Sequence, residues 1–105
     1  MISMVSSKMK KLASGHYSLE LGTSGFCHET KLKPGDQFRV IGAPLLTGFD
    51  NGAVFNVESI VDTNQGWAYM LRKHKARKLI AHKVLSVDDY VHKYNGKSPN
   101  RIEII

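Results

Sequence analysis

Between Pro34 and Leu85 the chain alternates β-prone runs with turn residues, and this pattern constrains the fold more than any other feature. Lys33-Pro34-Gly35-Asp36 fits a turn in which proline holds φ at the second position and glycine accepts positive φ at the third. Residues 37–41 follow as a strand, and residues 42–53, with Pro44, Gly48 and Asn51-Gly52, read as a long loop. Residues 54–61 are β-branched and aromatic. Phe55 and Val57 share a face, and the phase then shifts to Ile60, which predicts a bulge around Glu58 and Ser59. Residues 62–66 close a hairpin onto a strand at 67–72, and residues 79–85 form the next strand candidate.

The flanks are less regular. Tyr17, Leu19 and Leu21 alternate with Ser18 and Glu20, which predicts a half-buried strand over residues 16–21. Val5, Met9 and Leu12 fall at i, i+4 and i+7, so residues 1–15 read as a basic arm with a short amphipathic helix. Ser86-Val87-Asp88-Asp89 has the form of a capping box, and Val87, Tyr90, Val91 and Tyr94 continue at helical spacing. This predicts a helix near 87–94, with Asp88-Asp89 favoured by the helix dipole at its start. Residues 101–105 supply a last edge strand. With 105 residues there is room for one core. The expected fold is mainly β, a small antiparallel SH3-like barrel or bent sheet over 16–105, with a short C-terminal helix and the basic N-terminal arm.

Charge is unevenly placed. Of the 15 Lys and Arg residues, Arg72, Lys73, Lys75, Arg77, Lys78 and Lys83 lie between Thr63 and Val87, where no Asp or Glu occurs. The other nine basic residues balance the nine acidic ones, so this window carries the whole net charge of +6. Trp67 and Tyr69 precede the run. Aromatic rings stack on bases while Lys and Arg neutralise phosphates, so the combination suits a nucleic-acid surface. The same residues also suit a barrel wall beside a solvated, solubilising loop. Lys8, Lys10 and Lys11 make the arm a second, weaker source of phosphate contacts.

The order Pro34-Gly35-Asp36-x-Phe38-x-Val40, then Val54-Phe55-x-Val57, then Trp67-Ala68-Tyr69-Met70-Leu71, then Leu79-Ile80-Ala81 before a turn at Ser86, resembles the small SH3-like barrels of the KOW and Tudor type. The likeness covers roughly residues 32–90 and rests on strand spacing. KOW-type barrels bind RNA, DNA or the transcription and translation machinery. Tudor-type barrels hold methylated side chains in an aromatic cage, for which Trp67, Tyr69 and Phe55 with Glu58 or Asp62 would be the components. The basic surroundings oppose a cationic ligand, which ranks that reading below polyanion binding.

Catalysis has little support. Cys27-His28 is the single adjacent Cys and His, and neighbours on an extended chain point to opposite sides, so Cys27 reads as a small buried apolar residue. The five histidines lack metal-ligand spacing, and no Gly-rich phosphate loop occurs. No cofactor and no metal are expected. No apolar run reaches the roughly 18–20 residues of a membrane span, and one cysteine fits a cytoplasmic or nucleoid-associated protein. The expected function is non-catalytic binding of DNA or RNA through the basic hairpin and strand, with Trp67 or Tyr69 stacking where exposed. The alternative is an adaptor or inhibitor that docks on a larger, nucleic-acid-processing protein through Leu45, Leu46 and Phe49 of the 42–53 loop, or through the helix.

Overall fold

Period-two alternation requires strands whose apolar faces meet, and two packed antiparallel sheets meet that requirement. A computed structural model describes residues 8–22, 25–91 and 98–105. The first sheet has the order β1-β2-β3, with β1 at Met9–Lys11, β2 at Tyr17–Leu21 and β3 at Phe26–Glu29. The second has the order β7-β6-β5-β4-β8, with β4 at Gln37–Ile41, β5 at Val54–Thr63, β6 at Gly66–Lys73, β7 at Leu79–Lys83 and β8 at Arg101–Ile104. A short helix, α1, spans Val84–Asp88. Among the described residues no helix is long and apolar enough to cross a membrane.

The β5–β6 hairpin follows its sequence closely. Thr63 pairs with Gly66 across a two-residue turn, and the Thr63 hydroxyl donates to the Gly66 carbonyl while accepting from Gln65 N–H. Register shifts between Val57 and Ser59, so Glu58 is an extra residue in the ladder. That bulge keeps Val57 and Ile60 both buried although three positions separate them.

Phe38, Phe49 and Phe55 form the centre of the core, with ring centroids 4.9 to 5.8 Å apart. Each contributes roughly 1.5–3 kcal/mol through burial. Tyr69, Leu71, Leu19, Leu32, Val84, Val87 and Ile102 are among the residues packed around it. The 42–53 loop therefore folds back, because Phe49 belongs to the same stack. His82 closes the loop from β7, its ring edge-on to Phe49 at 4.9 Å and its Nε2–H donating to the Thr47 carbonyl at 2.8 Å.

Three expectations are corrected, and one strand, β3, appears where the sequence carried no signal. The large sheet is not closed into a barrel: β7 and β8 remain its two edges, and β1–β3 together with the 42–53 loop cover its inner face. The N-terminal helix is absent from residues 8–15, where Met9–Lys11 pairs with Tyr17–Leu19 and Met9 packs on the core. A ladder with burial outcompetes a short helix that is marginal in water; Val5 lies outside the described residues. β3 lacked an alternation signal because His28 alone on it is half-buried. α1 begins at Val84, where Val84 and Val87 bury one face, and it has no side-chain cap. Val91 has already left the helix and bridges to Ile102; Tyr94 lies outside the described residues.

Candidate nucleic-acid interface

Antiparallel pairing of β6 with β7 gathers the acid-free window onto one hairpin at the edge of the large sheet. At its tip, Ala76 N–H donates to the Lys73 carbonyl at 2.8 Å, which closes a tight turn. Lys75 sits in that turn at φ 69°, a left-handed conformation that glycine adopts without strain. A lysine there presents a cation at the outermost point of the turn. Lys73, Lys75, Arg77 and Lys78 are all exposed, and none forms an ion pair among the described residues.

Arg72 differs from the other five. Its guanidinium donates to the Arg77 carbonyl and lies 3.5 Å from the Glu58 carboxylate, so it braces the turn against the bulge of β5. Lys83 is exposed at the opposite end of β7, paired in register with Ala68. Five residues of strand put it about 16 Å from the tip cluster. The surface is thus a four-cation tip and a separate lysine joined by an exposed strand edge.

Lys83 borders a cleft of about 420 Å³ between the two sheets. Leu19 and Leu21 of β2, Trp67 of β6, and Val84 and Leu85 of α1 give it apolar walls; Lys8, Glu20, His28, Asp62 and Gln65 stand around it. Trp67 is half-buried, and its indole N–H donates to the Glu20 carbonyl at 3.0 Å, which holds the ring across the junction of the sheets. Tyr69 is the correction. Its side chain is fully buried, so it has no ring face to offer a base. With Phe55 equally buried, an aromatic cage of the Tudor kind does not assemble.

The protein-docking residues separate in the same way. Phe49 is buried in the aromatic stack, and Leu46 packs against the core, so neither presents itself to a partner. Leu45 is 91% exposed and stands alone. Cys27 is exposed and not buried, on the face of β3 opposite His28.

Asp88 is the residue that sequence reasoning placed in the wrong role. It lies at the end of α1, 3% exposed, turned into the protein. His28 Nε2–H donates to its Oδ2 at 2.6 Å, Lys31 N–H to the same oxygen at 3.3 Å, and the Tyr69 hydroxyl to its Oδ1 at 2.7 Å. A carboxylate is acceptor-only, so the proton in the first bond belongs to the imidazole. Leu32 N–H donates to the Tyr69 oxygen, which ties in the crossover between the sheets. Burial, reinforced by the adjacent carboxylate, pushes the Tyr69 phenol far above its ordinary range. One buried anion therefore joins the small sheet, the helix and the large sheet beneath the cleft. Comparison with family models, with curated proteins and with solved structures finds no match to this chain.

Proposed function

We propose that the protein binds nucleic acid without catalysis, through phosphate contacts along the β6–β7 hairpin. One observation carries the reading: Lys73, Lys75, Arg77 and Lys78 are exposed, unpaired with any described acid, and clustered on one turn that is strained to present Lys75. Surface cations kept for solubility are interspersed with anions, whereas here the one nearby described acid, Glu58, is engaged by Arg72 and none pairs with the four tip cations. Braced against Glu58 and the Arg77 carbonyl, Arg72 serves the shape of the turn.

The SH3-like likeness belongs to the same proposal. It is supported by the consecutive meander β4 to β7, the long 42–53 loop after its first strand, the helix after its fourth, and the return of β8 to pair with β4. In this reading the unit is an opened relative of the KOW-type barrel, with β1–β3 covering the side that closure would have sealed.

A salt titration tests the function. Engaging Lys73, Lys75, Arg77, Lys78 and Lys83 gives a slope of log K on log salt near about −4.5 for duplex and about −3.5 for a single strand. Reversal of the four tip cations to Glu abolishes binding in a chain that still folds. Salt-independent binding, or binding that survives the reversal, overturns the proposal.

A further inference from the structure

We infer that the cleft beside Trp67 receives an unpaired base, so that the preferred ligand is a single-stranded nucleic acid and not a duplex. The inference rests on the phosphate-binding reading above and adds to it what happens at the far end of the hairpin.

Three observations converge there. The volume of about 420 Å³ lies within the roughly 300–1,000 Å³ of small-molecule pockets and suits one nucleoside. Its lining is apolar where a ring would lie, with Trp67, Leu19, Leu21, Val84 and Leu85. Two cations line it, Lys8 just before β1 and Lys83 at the end of β7, where they can meet the phosphates flanking an inserted base, and two carboxylates, Glu20 and Asp62, line it with them. Leu85 is 48% exposed although it is apolar, which leaves an uncovered hydrophobic lip at the entrance. Asp62 also lines the cleft and is paired with Trp67 across the β5–β6 hairpin. An ionised carboxylate accepts hydrogen bonds only, so in a site flanked by lysines it selects a ligand that carries both phosphate and an amino group, as a cytosine-bearing nucleotide does.

Geometry then separates the two nucleic-acid forms. In a duplex the bases are paired and stacked, and none reaches a cleft lined by Trp67 without being flipped at a cost of a few kcal/mol. A single strand enters the cleft with one base and continues along the edge of β7 toward the tip cations, about 16 Å away. Stacking on Trp67 adds sequence-tolerant affinity, and the lysines supply the salt dependence.

Trp67 is the sole tryptophan, so its emission reports the cleft directly. The full chain is titrated with a cytidine oligonucleotide of about ten residues, its duplex with a complementary strand, and an abasic phosphodiester of equal length, each dye-labelled for anisotropy. The expected result is quenching of Trp67 by the single strand alone, with the single strand bound about tenfold more tightly than the abasic chain. Asp62→Ala, a change at an exposed hairpin residue, weakens the single strand and leaves the abasic chain as tightly bound as before. Equal binding of single-stranded and abasic chains with Trp67 emission unchanged overturns the base site while the phosphate reading stands. Tighter duplex binding with Trp67 unchanged does the same. Binding of none of the three overturns the phosphate reading, and this inference with it.

Discussion

The Tyr69 hydroxyl donates to Asp88 Oδ1 at 2.7 Å, and both residues are almost wholly buried. Asp88 accepts two more hydrogen bonds, one from His28 of β3 and one from Lys31 N–H in the crossover that follows it. The attachment of the small sheet to the large one is therefore partly polar, and the cleft beside Trp67 depends on that attachment.

Replacing Asp88 by Ala strands the Tyr69 hydroxyl in the interior, at about 1–3 kcal/mol for a buried unsatisfied group, and also removes the acceptor of the part-buried His28 and Lys31 N–H bonds. We expect Asp88→Ala to lose about 2–3 kcal/mol in urea unfolding. The exposed neighbour Asp89→Ala changes stability by less than about 0.5 kcal/mol. Equal costs at the two positions would show that the buried network contributes nothing.

Alkaline pH attacks the same bond from the other partner. Burial first, and then the Asp88 carboxylate, raise the Tyr69 phenol above the ordinary value near about 10. The folded state thus holds a proton that the unfolded state releases. Stability is intact below about pH 10 and falls above it, by at most about 1.4 kcal/mol per pH unit for this group. Phenolate absorbance should show one of the four tyrosines ionising only as the protein unfolds. Tyr69→Phe flattens the alkaline slope while costing about 1 kcal/mol near neutrality.

Lys75 offers a conflict between stability and binding. A non-glycine residue at positive φ costs about 1–2 kcal/mol, and glycine returns part of that gain through a freer unfolded chain. Lys75→Gly is expected to raise stability by up to about 1 kcal/mol and to reduce the duplex salt slope by about 0.9. Thermal unfolding and a salt titration of one variant test both halves.

The 42–53 loop is expected to behave as core. Phe49→Ala removes a ring from the three-phenylalanine stack and costs about 3–5 kcal/mol. Leu45→Ala, at a position 91% exposed, costs less than about 0.5 kcal/mol. Denaturant unfolding of the pair decides whether the loop is structural.

Local order was readable where it depended on near neighbours. The phase shift from Val57 to Ile60 marked the bulge, and the absence of acids between Thr63 and Val87 located the basic hairpin. Parity also held the answer for Tyr69. It shares a strand face with Leu71, and that face is the core, whereas Trp67 lies near the strand's start and borders the cleft. The role of Asp88 was hidden because its partners stand 60, 57 and 19 positions away, while the local Ser86-x-x-Asp89 pattern imitates a helix start. β3 was hidden for a related reason: its pairing with β2 orders a segment whose own side chains are mostly exposed.

The bonds that fasten the small sheet have a consequence for folding order. β1, β2 and β3 pair among themselves through local contacts, so that meander can form early. Its fasteners come from far along the chain, Trp67 reaching the Glu20 carbonyl and Asp88 reaching His28. Closing loops of that length is entropically costly until the large sheet has collapsed. Docking of the small sheet is therefore expected to come late, and with it the cleft that lies between the sheets.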